Sequence, residues 1–192
     1  MKWILFGLVF LLCELSIQGD LAFSKSREQV GEEEIKMTEL DSTNLAKKHL
    51  SFGYRYLKNN QYEDAETQLT KSWKYNPKRA TTARYLGRLY DELEKYEDAI
   101  SWFNRSLKLD SQSKHARSAY HSLANIFVLQ ENRKEAIQAF HSLLDFDPSQ
   151  EKEIQYLHRL VSLYVEEEEF KSALNLARRW GKLEPNNPDV QD

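Results

Sequence analysis

The five histidines are the side chains best suited to metal or acid–base chemistry: His49, His115, His121, His141 and His158. None of them forms the His-Glu-x-x-His pattern, which places two zinc ligands one helical turn apart with a base between them. His121 and His158 are expected to approach each other, but no cysteine and no clear third ligand accompany them. The sequence therefore predicts no metal site.

Signatures of nucleophilic, nucleotide or calcium chemistry are also missing. The six glycines are scattered and form no phosphate-binding loop, and no Gly-x-Ser-x-Gly elbow occurs. The single cysteine, Cys13, lies in an apolar N-terminal stretch where it does not suit a nucleophile. The acidic run 166–169 lacks the turn-forming glycine and staggered ligands of a calcium loop and is typical of a solvated turn. We therefore expect a protein that is not an enzyme and has no cofactor.

The N-terminal residues are typical of a targeting segment. Lys2 is followed by an uncharged apolar run, residues 3–13, which Glu14 interrupts. Such a run rises about 16 Å as a helix, roughly half the hydrocarbon core of a bilayer. Residues 1–24 are therefore predicted to be a signal peptide or an N-terminal membrane anchor, with lipidation at Cys13 as a third alternative. We expect an exported protein, in the periplasm or anchored facing it, with residues 25–41 as a polar tether.

Two sets of apolar residues recur along the rest of the chain with the same three intervals of 34, 37 and 37 residues. Each recurring residue belongs to a stripe with the i, i+3, i+7 spacing of one helix face. The first set is Phe52, Leu86, Leu123 and Leu160, and the second is Ala65, Ala99, Ala136 and Ala173. Two stripes with one register predict repeated pairs of helices, which we call A and B.

These residues resemble the tetratricopeptide repeat, a helix–turn–helix unit of 34 residues. The match is closest in the second unit, where Tyr85-Leu86-Gly87 is followed by Tyr96, Ala99 and Phe103. The resemblance implies an all-α, right-handed superhelical solenoid of four such pairs within residues 42–187. The units are expected at about 46–79, 80–113, 117–150 and 154–187, followed by a tail at 188–192.

Two features modify the regular repeat. Insertions near residues 112–114 and 150–152 are expected to lengthen helix A of the third and fourth units by about one turn. The small residue at the crossing of helices A and B is Gly53, Gly87 and Ala124, whereas the fourth unit has Val161. This valine predicts a slightly wider crossing there.

The resemblance also implies a concave groove lined mainly by the A helices. Its expected partner-binding residues are Lys47, Tyr54, Lys58, Arg84, Arg88, His121, Asn125, His158 and Arg159. Positive and hydrogen-bonding groups in such a groove predict a protein or peptide partner with acidic character, although an ordinary solvated helix face is the alternative. Leu50 and Tyr54 replace two first-unit residues of the family's carboxylate clamp, so that clamp is not preserved.

The end of the array suggests a second contact surface, because no polar cap follows the last predicted helix. Leu176, Trp180 and Leu183 are candidates for an exposed apolar patch, and the alternative is that they pack back onto the third unit. We expect a protein-binding scaffold or assembly factor of a bacterial cell envelope, or alternatively a structural protein that self-associates through this end. A net charge of −3 does not suggest a nucleic-acid partner.

Overall fold

The computed structural model describes residues 38–113, 115–146 and 148–185. Within these residues the chain forms eight helices in four pairs, as the sequence predicts for an all-α solenoid. The helices are α1 (38–58), α2 (Tyr62–Tyr75), α3 (Ala80–Glu92), α4 (Tyr96–Leu109), α5 (Ala116–Leu129), α6 (Arg133–Leu144), α7 (Gln150–Glu166) and α8 (Phe170–Leu183). The odd-numbered helices are the A helices.

The predicted signal or anchor, most of the tether and the tail lie outside the described residues. None of the helices that are described combines the length and the apolar character needed to cross a bilayer. Helix α1 already includes residues 38–41, which the sequence analysis assigned to the tether. Once the packed part of α1 has formed, each further residue adds one hydrogen bond at little cost, which explains the earlier start.

The charges at the helix ends help to define the B helices. In α2, Glu63 and Asp64 occupy the first turn and Lys74 the last, and α4 repeats this arrangement. Acidic groups near a helix N-terminus and basic groups near its C-terminus oppose the helix dipole favourably. None of the helices α2 to α8 has a side-chain hydrogen bond at its N-cap. Charge and packing therefore take the place of side-chain capping.

Every turn from helix A to helix B contains one residue in the left-handed region. These residues are Asn60, Glu94, Glu131 and Glu168, with φ between 57° and 60°. The backbone N–H of the residue immediately before each B helix reaches back across the turn; in the second unit, Lys95 N–H donates to the Tyr90 carbonyl at 2.8 Å. The same local geometry therefore sets the direction of helix B in all four units.

The core is a chain of apolar clusters that link neighbouring units. One cluster joins Leu57 and Leu69 of the first unit to Leu86 of the second, and the next clusters continue through Phe103 and then Phe140. The B helices α2, α4 and α6 thus pack against their own A helices and against the following ones. This is the arrangement by which repeat arrays bury apolar faces that a single helix pair leaves exposed.

Adjacent units pack with antiparallel helices. Near the end of α2, the Ser72 hydroxyl lies 3.0 Å from that of Thr82, at the start of α3. Near the start of α2, Glu66 accepts a 2.7 Å hydrogen bond from Tyr90, at the end of α3. Burial first, and this contact to a carboxylate second, raise the pKa of the Tyr90 hydroxyl to about 12.

The glycines at the first two helix crossings are required by close packing. A Cβ atom on Gly53 would lie 2.7 Å from the Leu69 side chain, and one on Gly87 would lie 2.7 Å from the Phe103 ring. In the fourth unit the counterpart of Leu69 is Ala177, so the smaller residue stands on the B helix opposite Val161. In the repeat register the larger Val161 is thus matched by a smaller counterpart, and the wider crossing stays a prediction.

The two insertions have different structures. Helix α7 has 17 residues against 13 in α3, which confirms the expected extra turn in the fourth unit. In the third unit the prediction is wrong, because α5 begins only at Ala116. The Asp110 carboxylate accepts hydrogen bonds from the backbone N–H groups of Gln112 and Ser113, at 3.3 and 3.1 Å. This local turn competes with the helix for those N–H groups.

Candidate partner-binding groove

A cavity of about 440 Å³ lies on the concave side, between the start of α3 and the start of α7. Of the lining residues in the described part of the chain, four are arginine or lysine and none is acidic. We call it the cationic cavity; its lining consists of Arg84, Arg88, Phe103, Arg117, Ser118, His121, Ser122, Lys152 and Tyr156. A concave surface lined by charge of one sign concentrates the field and attracts ligands of the opposite charge.

Packing and hydrogen bonds hold Arg84 in place. Its Cζ atom lies 4.3 Å from the ring centroid of Tyr85, and its Nη1 donates to the Ser118 hydroxyl at 3.3 Å. The Tyr85 ring in turn contacts Tyr54 of α1, with 5.0 Å between centroids. The Nε of Arg84 is buried without a hydrogen-bond partner among the described residues. The guanidinium group is therefore oriented but not neutralised.

Arg117 is held in a similar way at the start of α5. Its Nη2 donates to the Phe146 carbonyl at 3.0 Å, and its Cζ lies 5.9 Å from the Phe146 ring centroid. Its Nε, too, is buried without a partner in the described part of the chain. A carbonyl satisfies a donor but does not cancel a full charge. Arg117 therefore contributes positive charge to the cavity from a fixed position.

Arg88 is the one arginine of the cavity with an acidic neighbour in the described structure. Its Nε lies 3.5 Å from the Glu92 carboxylate, one helical turn along α3. Both side chains are largely exposed, and exposed pairs of this kind contribute about 0–1 kcal/mol. An incoming carboxylate can therefore displace Glu92 from Arg88 at little cost.

A second cavity, of about 610 Å³, adjoins the first and shares His121 and Tyr156 with it. We call it the histidine cavity; its other lining residues are Asn125, Phe140, Ile154, Gln155, His158, Arg159 and Trp180. The Asn125 amide lies 3.3 Å from His121 Nδ1, and the His158 ring meets Trp180 edge-on at 5.1 Å. Together the two cavities form one continuous concave surface over the second to fourth units.

Burial changes the acid–base behaviour of the residues shared by the two cavities. Burial first, and the charge of Lys152 second, lower the pKa of His121 below its ordinary value of 6.5. Burial raises the pKa of the Tyr156 hydroxyl, against a smaller opposite effect of Arg117. Both residues are therefore neutral at pH 7, and the positive charge of the cavity comes from its arginines and its lysine.

The structure brings together six of the nine residues that the sequence analysis assigned to the groove. Arg84, Arg88 and His121 line the cationic cavity, and Asn125, His158 and Arg159 line the histidine cavity. The three first-unit residues, Lys47, Tyr54 and Lys58, are exposed but line neither cavity. Arg117, Lys152 and Tyr156 were missed by the sequence analysis.

The residues predicted to form an exposed terminal patch are mostly covered. Trp180 is only 5% exposed and donates a 2.7 Å hydrogen bond to Glu184, so the expectation that it is exposed is wrong. Leu176 is partly buried against the cluster around Phe140, and Leu183 is half-buried. Leu176 therefore follows the alternative of packing back onto the third unit, whereas Trp180 contacts His158 and Glu184 of its own unit.

Comparisons with known proteins agree with this fold. Residues 50–114 match the Tetratricopeptide repeat family. No curated protein sequence matches the chain. Among solved structures, MamA shares 18% sequence identity at a TM-score of 0.60, covering 76% of both chains. YrrB, described as a TPR protein with an unusual peptide-binding site, shares 18% sequence identity at a TM-score of 0.61, and the match covers 74% of this chain and 70% of that one.

The first TPR of Spaghetti (RPAP3), solved with the HSP90 peptide SRMEEVD, also shares 18% identity. Its TM-score is 0.55, and the match covers 65% of this chain and 96% of that one. At these identities the three structures show the fold that they have in common with this chain.

Proposed function

We propose that this chain, whose residues 50–114 match the tetratricopeptide repeat family, is a non-catalytic scaffold that holds a segment of a partner protein in its concave groove. The observation that carries the proposal is the cationic cavity, where four cationic side chains converge and no acidic one of the described residues lines the wall. Arg84 and Arg117 are held by aromatic rings and neutral acceptors, so they are preorganised for an anion. The preferred partner segment is therefore acidic.

The shape of the groove supports a chain-like ligand. The two cavities adjoin through His121 and Tyr156, so a segment anchored by a carboxylate in the first extends along Asn125 and His158 in the second. YrrB is described with a peptide-binding site and the first TPR of Spaghetti with a bound peptide, which supports the class of partner. Leu50 and Tyr54 interrupt the family's carboxylate clamp, so a different residue set would bind the partner here.

Binding of a glutamate-rich synthetic peptide to the full chain tests this function. The double substitution Arg88→Gln with Lys152→Gln removes two exposed charges from the cavity wall. Each charge-assisted hydrogen bond contributes about 1.5–3 kcal/mol, so we expect affinity to fall at least about tenfold. The measurement is fluorescence anisotropy of the labelled peptide, with a glutamine version of the peptide as a reference.

The matched control is Lys47→Gln with Lys58→Gln, which removes the same charge from first-unit residues outside both cavities. It should change affinity about twofold at most, because exposed distant charges are screened by salt. Equal losses in both double variants would mean that only net charge matters. Failure of the wild-type chain to distinguish the glutamate from the glutamine peptide would remove the proposal.

We further propose that the scaffold works in the cell envelope, because residues 1–24 have the basic start and short apolar run of an export signal. Fractionation of bacterial cells expressing the full chain should recover it outside the cytoplasm. Replacing Leu8 and Leu11 with arginine should retain it inside, since charges abolish the apolar run. Equal distribution of both forms would contradict export.

A further inference from the structure

The outer face of α8 leaves apolar side chains uncovered. Phe170 is 63% exposed, Leu174 52%, and Val165, at the end of α7, 48%. We call these three residues the terminal face. No helix follows α8 among the residues that the structure describes. Exposed apolar residues that are grouped on one surface commonly mark a contact site.

The same positions carry the contact between units elsewhere in the array. The counterparts of the terminal face, 37 residues earlier, are Val128, Arg133 and Ile137. Ile137 is buried in the cluster that contains residues of α7, Val128 packs against that cluster, and Arg133 donates to Glu166 of α7 at 2.8 Å. The terminal face therefore continues the surface by which each B helix packs against the next A helix.

Along α8 the charges beside the terminal face are all positive, whereas the acidic run 166–169 lies in the turn between Val165 and Phe170. This helix contains Lys171, Arg178, Arg179 and Lys182 and no acidic residue. Arg179 is paired with Glu153, whereas Lys171, Arg178 and Lys182 are exposed and share one side of the helix, next to Phe170 and Leu174. A partner on this face is matched best by acidic residues along this row.

Gly181 provides space for a bulky side chain. The three earlier units carry Trp73, Leu107 and Leu144 at this position, each packed against an apolar cluster. Gly181 lacks the side chain that fills this position in the earlier units, at the end of the apolar stripe. A bilayer surface makes no use of such a space, whereas the side chain of a packed helix fills it.

We propose that the terminal face binds an amphipathic helix of a partner protein, antiparallel to α8. Its apolar residues pack on Phe170 and Leu174, and its acidic residues lie along Lys171, Arg178 and Lys182. This contact is separate from the groove and does not depend on the function proposed for it. A second copy of the chain is a poorer occupant, because this side of its α1 carries Lys48 and Arg55 beside Asp41 and Leu45, so its charge matches the basic row of α8 less well than an acidic helix does.

The test uses the full chain and a designed helical peptide with leucines on one face and glutamates along its flank. We expect Leu174→Glu to weaken binding at least about tenfold, because it places a carboxylate in the apolar contact and opposite the peptide's glutamates. The control Leu129→Glu changes another exposed leucine, 67% exposed, away from the terminal face and should leave affinity unchanged. A peptide with lysine in place of glutamate should bind at least about tenfold more weakly.

The groove variant Arg88→Gln with Lys152→Gln separates this proposal from the groove function. Helix binding that survives in the groove variant and is lost in Leu174→Glu supports the terminal face. Loss in the groove variant alone would assign the peptide to the groove and overturn the inference. Binding to phosphatidylglycerol vesicles instead of the peptide, or a molecular mass that rises with concentration and drops in Leu174→Glu, would also overturn it.

Discussion

At the scale of single residues, the groove combines fixed positive charges with a neutral histidine that can become charged. His121 stands in both cavities, and its pKa is lowered by burial and by Lys152. A bound carboxylate favours the protonated ring. Proton uptake and ligand binding are therefore coupled, and each strengthens the other.

We predict that affinity for the glutamate peptide rises as the pH falls from about 7 to about 5, above the range where glutamate itself protonates. His121→Asn should flatten this dependence while leaving the affinity at pH 7.5 within about twofold, since the neutral ring contributes no charge there. Anisotropy titrations at several pH values measure both. A slope that survives in His121→Asn would assign the effect to another group.

The free energy of unfolding of the ligand-free protein should fall as the pH falls, whereas the affinity for the glutamate peptide should rise. The folded pKa of His121 lies below its ordinary value of 6.5, so the unfolded chain takes up the proton more readily. The contribution of the neutral His121 ring to stability is therefore fully present above pH 6.5 and is lost as the pH falls through the folded pKa. His141, whose pKa is also lowered by burial, adds to the same effect.

At the scale of helices and turns, the left-handed residues of the A–B turns are an unusual choice. Three of the four are glutamates, although a glycine adopts this conformation without the clash of a Cβ atom. The backbone hydrogen bonds across each turn hold the residue there. The turn geometry is therefore imposed by the helices that it joins.

Glu94→Gly should raise the free energy of unfolding by about 0.5–1 kcal/mol, because it relieves the left-handed strain. Lys71→Gly, an exposed helical position in α2, serves as the opposite control and should lower it by about 1 kcal/mol. Urea denaturation followed by circular dichroism measures both changes. Destabilisation by Glu94→Gly would show that the glutamate side chain contributes more than its backbone costs.

The helices themselves were predictable from the sequence, because each apolar stripe repeats at fixed intervals. The intervals alone could not predict where a side chain competes with a helix for backbone N–H groups. The Asp110 side chain caps a turn where an extra helical turn was expected, whereas the insertion at 150–152 joins α7. That extra turn places Lys152 in the cationic cavity. Because the repeat of 34 residues has no equivalent position, the family pattern does not predict this lysine.

At the scale of the whole molecule, the repeat register predicts burial better than the position of a residue near the chain end. Trp180 corresponds to Ser72, Ser106 and Leu143, all of them buried, and it is buried as well. Phe170 and Leu174, in contrast, stand where earlier units contact the next helix. The register of the four units therefore identifies the terminal face from the sequence, because its residues occupy the positions that contact the next helix in the earlier units.

Among helices α2 to α8, contacts join neighbours in the chain, with α3 and α5 also in contact. No central core spans these helices, so small rotations at each junction add up along the array with little cost at any one of them. The distance between Arg88 on α3 and Lys152 on α7 depends on two such junctions. We therefore expect a ligand that bridges these two charges to fix the rotation at both junctions, and with it the curvature of the array.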